Sequence, residues 1–176
     1  MNLQPVLKND TVTLLPLKVD DFEKLYAVAC DPLIWEQHPN PDRYQRDVFD
    51  IFFKGAMESK GAFIIFDSET KLPIGSSRYY DYDQEKKQVL IGYTFFVRDH
   101  WGGKSNIATK ELMITHAFKY VENVYFHIGA TNFRSQISIQ RIGGEKTREI
   151  EVEYYGEQKK MNFEFVIRKE KWKAAP

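Results

Sequence analysis

The residues whose types and spacing most clearly suggest chemistry lie in the segment HWGGKSN, residues 100–106. Two adjacent glycines followed by Lys104 and Ser105 look like the end of a phosphate-binding P-loop. A P-loop has another glycine five residues before the glycine that precedes its Lys-Ser pair, and Arg98 occupies that position. The pattern is therefore incomplete, and a nucleotide hydrolase is not indicated.

A glycine turn that leads into a helix can still bind an anion. Several backbone N–H groups converge at such a turn, and the positive end of the helix dipole adds to them. A phosphate or pyrophosphate group is the natural ligand. The alternative is that Gly102 and Gly103 only turn the chain.

A second pair of polar residues, Asn132 and Ser135, lies at the start of a short predicted helix. A spacing of three places both side chains on one face of a helix. Asparagine is also a favoured N-cap residue, so Asn132 could serve the helix alone. The histidines, at positions 38, 100, 116 and 127, do not show metal-ligand spacing, and no metal is expected.

The elements that must position these residues follow from hydrophobic periodicity. A strand is predicted at 11–17, then a helix with a capping box formed by Asp20 and Glu23, a loop at 35–43 and a second helix near 48–56. The next predicted elements, in chain order, are strands at 62–66, 74–82 and 89–97, a helix at about 105–121, a strand at 124–128, a helix at 132–142 ending at Gly143-Gly144, and a hairpin with strands at 150–154 and 163–167.

The strand at 89–97 is apolar on both faces, which is typical of a central strand covered on both sides. The three strands from 62 to 97 read as an antiparallel meander. The glycine turn therefore connects a central strand to a long helix.

Composition narrows the function. The 176 residues are 43% hydrophobic, which is enough for one core, so a single domain at 1–172 with a frayed tail at 173–176 is predicted. Lys plus Arg and Asp plus Glu each number 25, so neither nucleic acid nor a membrane is an expected partner. The start of the chain has no signal-peptide pattern, and a cytoplasmic location is expected. Cys30 is the sole cysteine and is expected to be buried.

The whole element order resembles the GNAT superfamily of acyl-CoA-dependent N-acyltransferases. The segment 92–118 is similar to that family's central strand, pyrophosphate loop and helix, and 129–144 to its Asn-x-x-Ser helix with a terminal glycine. The Trp-Gly pair at 101–102 and the Asn-x-x-Ser spacing resemble the RimJ/RimL-like branch of ribosomal-protein N-terminal acetyltransferases. The resemblance implies an α/β (α+β) fold, a mixed, mostly antiparallel twisted sheet of about seven strands flanked by about four helices.

The resemblance also implies a donor, acetyl-CoA. In the family the central strand splays from its neighbour, and its free backbone groups bind the pantetheine arm and polarise the thioester carbonyl. The following loop holds the pyrophosphate. On this basis the residues assigned to CoA are Phe95, Phe96, Val97, Trp101, Gly102, Gly103, Lys104, Ser105, Asn106, Ile107, Asn132 and Ser135.

Lys104 departs from the family pattern, because a glycine is usual at its position. Glycine allows a backbone N–H to approach the pyrophosphate without a Cβ in the way. Gly102 and Gly103 could supply this freedom instead. Lys104 would then either add a charge near a CoA phosphate or be a solvated lysine on the first helical turn.

Catalytic roles follow from the same resemblance. Asn132 would bind the pantetheine, and Ser135 would stabilise or protonate the departing CoA thiolate. Glu36 and His38 are the candidates for a general base, because their loop borders the acceptor site in the family, and His127 could face the same cleft. Arg134 is a further candidate to reach a CoA phosphate, and Trp35 and Trp101 to line the site.

The implied function is an acetyl-CoA-dependent N-acetyltransferase that moves an acetyl group to a primary amine by direct attack in a ternary complex. The acceptor would be a small amine or a peptide N-terminus. A domain that binds acyl-CoA as a sensor or regulator without turnover is the alternative, which Lys104 keeps open. The sequence does not indicate the acceptor or the oligomeric state.

Overall fold

The computed structural model describes residues 1–172, so the tail expected at 173–176 lies outside the described residues. Within them the chain forms eight strands and five α-helices. The strands are β1 (Leu7–Lys8), β2 (Val12–Pro16), β3 (Ala62–Asp67), β4 (Pro73–Asp83), β5 (Gln88–Phe96), β6 (Asn123–Gly129), β7 (Glu145–Glu153) and β8 (Lys159–Arg168). The helices are α1 (Phe22–Ala29), α2 (Pro32–Trp35), α3 (Arg46–Glu58), α4 (Lys104–Ala117) and α5 (Phe133–Arg141).

The strands form one sheet in the order β1-β2-β3-β4-β5-β6-β8-β7. Neighbouring strands pair antiparallel except β5 and β6, which pair parallel across the connection through α4. The predicted mixed, mostly antiparallel sheet with a central β5 is thus confirmed. The additional strand is β1 and the additional helix is α2; at two and four residues, both are too short to show a hydrophobic period.

The two faces of the sheet carry separate apolar clusters. On one face Met113 and Ile114 of α4 pack with β-strand residues such as Ile91. On the other face Leu25 of α1 and Phe49 of α3 pack with the strand residues whose side chains point to that face. The sheet is therefore covered by α1 and α3 on one side and by α4 on the other, which explains why β5 is apolar on both faces.

The predicted start of α1 is wrong in detail. A 3₁₀ turn, Val19–Asp21, precedes the helix, and Asp21 rather than Asp20 accepts a hydrogen bond from the Lys18 N–H, at 3.0 Å. The extra turn places the helix start earlier in the chain, where the Asp21 carboxylate accepts from the backbone N–H of Lys18. The predicted glycine end of α5 is confirmed, since Gly143 has φ +89° and its N–H donates to the Gln140 carbonyl.

Cys30 is exposed, not buried as expected. It follows Ala29, the last residue of α1, which is buried. No helix within residues 1–172 is long and apolar enough to cross a membrane.

Candidate active site

The strands β5 and β6 separate after a short parallel contact. Their pairing covers three positions, from Gln88 with Asn123 to Leu90 with Tyr125. Beyond these positions β6 continues beside β8 as far as Gly129, while β5 continues beside β4. A wedge therefore opens in the middle of the sheet, at the carboxyl ends of two parallel strands.

A β-bulge in β5 helps to open this wedge. Ser76 of β4 lies opposite Phe95, but Arg78, two residues on, lies opposite Gly92, so β5 contains one extra residue. Within the bulge Tyr93 has φ +55°, a left-handed conformation that is uncommon for a residue with a Cβ. A bulge bends its strand and increases its twist, which carries β5 away from β6.

The bulged strand leaves backbone groups free on the side of the wedge. The Val97 N–H donates to the Ile74 carbonyl of β4 at 2.9 Å and is therefore not free to bind a ligand. Backbone groups alternate along a strand, so those of Phe96 point to the other side, toward the wedge. The Phe96 carbonyl accepts from Trp101 Nε1 at 3.0 Å. The Phe96 N–H is thus the group placed to bind an extended ligand arm.

A cavity of about 340 Å³ runs from this wedge to the glycine turn, and we call it the large cavity. Its walls come from the end of β5, the turn before α4 and one face of α5. The lining residues among the predicted CoA ligands are Phe95, Phe96, Trp101, Gly102, Gly103, Asn106, Ile107, Asn132 and Ser135. Val97, Lys104 and Ser105 do not line it.

The two glycines of the turn before α4 have different structural roles. Gly102 has φ +68°, and a Cβ there would meet nothing within 4 Å, so backbone conformation alone requires the glycine. Gly103 is the N-cap of α4. The Lys104 side chain is exposed, whereas Ser105 is buried with its Oγ 2.8 Å from His100 Nδ1.

The large cavity suits an anionic ligand with amide groups. Arg134 stacks over the Trp101 ring with its Cζ 4.1 Å from the centroid, and Arg141 also lines the wall. The Asn106 Oδ1 atom is buried and has no hydrogen-bond partner. A phosphate group would pair with the guanidinium groups and an amide N–H with Asn106, so the phosphates and the pantetheine of CoA fit the residues present.

At the start of α5 the N-cap role is visible. The Asn132 Oδ1 atom accepts from the Ser135 N–H at 3.1 Å, and Asn132 is buried. The Asn132 amide nitrogen remains available to another acceptor. The half-buried Ser135 faces both the large cavity and a second one.

This second cavity, the small cavity, has a volume of about 70 Å³. Three tyrosines, Tyr80, Tyr93 and Tyr154, form much of its wall. Burial raises the pKa of all three phenols, so they stay neutral near pH 7. Arg43 also lines this cavity and is nearly fully buried.

Arg43 is held by a carboxylate far away in the sequence. Its Nε and Nη2 atoms donate to the two oxygens of Glu157, each at 2.9 Å. Its guanidinium also lies 5.1 Å from the Phe52 ring centroid and 5.5 Å from that of Tyr154. The pair joins the loop after α2 to the turn between β7 and β8 and so closes the small cavity on one side.

The candidate bases differ in position. His38 lines both cavities, and burial, followed by the positive charges of Arg43 and Arg134, lowers its pKa to about 3. His127 lines the small cavity 3.3 Å from Glu164, and burial lowers its pKa although Glu164 opposes this. Glu36 is exposed and lines neither cavity.

The two cavities meet at a seam, a set of residues that line both. The seam consists of His38, Thr94, Lys110, Asn132 and Ser135. A group attached to a ligand in the large cavity can therefore reach a ligand in the small cavity at these residues. In chemical terms the seam is a place for group transfer between two bound molecules.

Sequence reasoning missed Lys110 and Arg43. Lys110 lies on the buried stripe of α4 with Met113, Ile114 and Ala117, at the helical spacings of three, four and seven. A lysine among the apolar residues of one helix face can be recognised in the sequence. It is informative because a buried lysine is rare. Arg43 had no signal of this kind, because its partner Glu157 lies 114 residues away. Among residues 1–172 there is no group of three or more His, Cys, Asp or Glu side chains that could hold a metal ion.

Residues 11–145 match the family model described as Acetyltransferase (GNAT) domain. No curated protein sequence matches the chain. Among solved structures, the fold is similar to a GCN5-related N-acetyltransferase from Brucella melitensis, with a TM-score of 0.81 and 14% identity over 96% of this chain and 80% of that one.

Two further structures of the same fold contain bound nucleotide ligands. RimJ from Mycobacterium smegmatis, in complex with CoA-disulfide, has a TM-score of 0.70 and 13% identity over 90% of this chain and 82% of that one. The Microcin C7 self-immunity acetyltransferase MccE, in complex with acetyl-CoA and AMP, has a TM-score of 0.74 and 14% identity over 95% of this chain and 98% of that one. At these identities the three structures show the shared fold.

Proposed function

Because the chain belongs to the GNAT acetyltransferase family, we propose that it transfers an acetyl group from acetyl-CoA to a primary amine by direct attack. The observation that carries the proposal is the seam, where two cavities of different character share five residues. The large cavity takes the donor and the small cavity takes the amine end of the acceptor.

The donor side follows from the contacts described above. The pantetheine lies along the free edge of β5, the pyrophosphate lies at the start of α4, and Arg134 or Arg141 pairs with a phosphate. The Phe96 N–H points into the wedge, where it can donate to the thioester carbonyl and stabilise the negative charge that develops on its oxygen during attack. Ser135, at the seam, donates a hydrogen bond to the departing sulfur.

The acceptor side favours a neutral amine. No Asp or Glu of the described residues lines the small cavity, so a protonated amine would find no carboxylate there. Two aromatic faces that could bind an ammonium are already near guanidinium groups, with Arg78 3.2 Å from the Tyr93 centroid and Arg43 beside Tyr154. Only an unprotonated nitrogen has the lone pair needed for attack, so this wall selects the reactive form.

The size of the small cavity limits what enters it. A volume of about 70 Å³ accommodates an amine end and leaves the rest of the acceptor outside. A peptide N-terminus and a small primary amine both meet this condition. We therefore propose both as acceptor classes, with the remainder of the molecule lying outside the small cavity.

The test is a thiol-release assay with acetyl-CoA and a panel of primary amines and peptides with free N-termini. We expect CoA release with at least one acceptor, and no release with the same peptide already acetylated at its N-terminus. Calorimetric titration with CoA is run beside it. Binding of CoA without release for any amine would replace this proposal by the alternative, an acyl-CoA sensor.

A further inference from the structure

One charged residue at the seam has no role in the function proposed so far. Lys110 of α4 is only 6% exposed, and it lines both the large and the small cavity. Its Nζ donates to Ser138 Oγ of α5 at 2.9 Å, and the Asn106 amide donates to the same oxygen at 3.2 Å. It makes no ion pair with any carboxylate of the described residues.

A buried lysine without a carboxylate is costly in its charged form. Burial lowers the pKa of Lys110 to about 7, so the amine and the ammonium are both accessible near neutral pH. The other charged or titratable groups on the large-cavity side are His38 and His100 from the loops, and Arg134 and Arg141 from α5. None of these can neutralise an ammonium.

Acetyl transfer requires a proton to leave the amine and another to reach sulfur. No carboxylate of the described residues lines either cavity. His38 is a weak base, and His127 faces the small cavity alone. Lys110 is the basic side chain that faces both cavities and is able to gain and lose a proton near pH 7.

We propose that Lys110 carries the proton from the acceptor amine to the leaving CoA sulfur. The inference rests on the proposed function and adds a catalytic residue to it. The amine nitrogen forms a bond to the thioester carbonyl carbon, and neutral Lys110 takes a proton from that nitrogen. The carbon–sulfur bond then breaks with its electron pair going to sulfur, and Lys110 returns the proton to sulfur, giving an amide, CoA thiol and neutral Lys110.

The acidities of Lys110 and of a thiol are suited to the second step. A thiol has an ordinary pKa of about 8.5, close to the pKa of about 7 of Lys110, so a proton can pass between the ammonium and the thiolate at a low energetic cost. A serine hydroxyl is a far weaker acid than this ammonium. In this scheme Ser135 donates a hydrogen bond to sulfur, and Ser138 holds the Lys110 Nζ in place.

A test that does not depend on turnover uses CoA alone. The ultraviolet absorbance of the thiolate is followed against pH for CoA bound to the wild-type protein, to Lys110→Met and to Lys110→Arg. An ammonium beside the thiol should make its pKa lower by about 1 to 3 in the wild-type protein than in Lys110→Met. Lys110→Arg, which keeps a charge, should resemble the wild type in this measurement.

Turnover then separates charge from proton transfer. Because arginine does not give up its proton, both Lys110→Met and Lys110→Arg should lower kcat by about 10² to 10⁴. The matched control is Lys119→Met, an exposed lysine just after α4, which should keep wild-type values. Either of two results overturns the inference. One is a thiol pKa that is the same in wild type and Lys110→Met; the other is a kcat of Lys110→Met or Lys110→Arg within about threefold of wild type.

Folding and the parent proposal are tested separately. Met has similar length and no charge to bury, so Lys110→Met should melt at or above the wild-type temperature. Ser138→Ala, which removes the acceptor of both the Lys110 Nζ and the Asn106 amide, should also lower kcat. If wild-type protein binds CoA but acetylates no amine, the proposed function fails, while the thiolate titration still decides whether Lys110 faces the sulfur.

Discussion

The large cavity and the small cavity are built in different ways. The large cavity depends mainly on backbone: a bulged strand, a left-handed glycine and the start of two helices, most of it within residues 92–141. The small cavity depends on side chains from distant parts of the chain, joined by Arg43 and Glu157 across 114 residues. The first is a binding surface that a local motif encodes, and the second is one that only the complete fold assembles.

This difference predicts where substitutions act. Changes at the small cavity should show first as lost stability, because its side chains also join distant elements. Changes at the large cavity should show as lost CoA affinity, because its backbone groups are free to bind. Substitutions at four positions test this division, beginning with the largest expected effect.

Arg43→Met should lower the free energy of unfolding by about 3–5 kcal/mol, because it leaves the largely buried Glu157 carboxylate without a partner. The control is Arg46→Met, which breaks the exposed pair of Arg46 with Glu23 and should cost about 0–1 kcal/mol. Urea denaturation measures both. Equal losses in the two variants would mean that the small cavity does not depend on the buried pair.

His38→Gln should make stability less sensitive to acid. The folded protein keeps His38 neutral down to a pKa of about 3, whereas the unfolded chain takes up a proton below about 6.5. The unfolded state therefore binds more protons between these values, and stability falls as pH decreases.

From pH 7 to pH 5, His38 should account for a loss of up to about 2 kcal/mol that His38→Gln does not show. Denaturation at both pH values measures the difference between the proteins. An identical loss in wild type and variant would show that His38 is protonated in the folded seam.

Gly102→Ala should cost about 1–2 kcal/mol of backbone strain, because position 102 has a positive φ. Gly143→Ala should cost the same, because Gly143 has φ +89° and equally open surroundings. The two are matched in strain but differ in place. Only Gly102→Ala should weaken CoA binding, by about tenfold for each 1.4 kcal/mol of strain that binding must overcome. Equal CoA affinity in both variants would remove the glycine turn from the CoA site.

Asn132 tests the two roles left open for it. Asn132→Ala removes the N-cap and should cost about 1 kcal/mol of stability, whereas Asn132→Asp keeps a good N-cap. Both lose the amide N–H groups, so both should bind CoA more weakly in calorimetry. If Asn132→Asp binds CoA as wild type does, Asn132 serves α5 alone.

The same difference between local and long-range construction explains which features could be predicted from the sequence. The glycine turn and the Asn-x-x-Ser spacing are local patterns. Together with the hydrophobic periodicity they predicted the central strand, α4, α5 and the glycine end of α5 at Gly143-Gly144. The bulge at Tyr93 follows from pairing with β4 and has no local signal. The start of β7 was missed because its first residues are exposed and show no alternation.

The choice of a candidate general base shows most clearly what the sequence could not predict. Glu36 was chosen for its loop, but a side chain's direction from a loop depends on packing, and Glu36 points to solvent. Lys110 could have been found, because it interrupts the apolar stripe of α4. Its position between two cavities could not, since the small cavity forms only when β6, α5 and the loop after α2 come together.

The central claim is that both substrates occupy the protein at once and react at the seam. The most direct measurement is the initial rate of CoA release with acetyl-CoA and an accepted amine varied together, with the acetylated amine identified by mass spectrometry. A ternary complex predicts double-reciprocal lines that intersect. Parallel lines, which indicate an acetylated protein intermediate, would contradict the account.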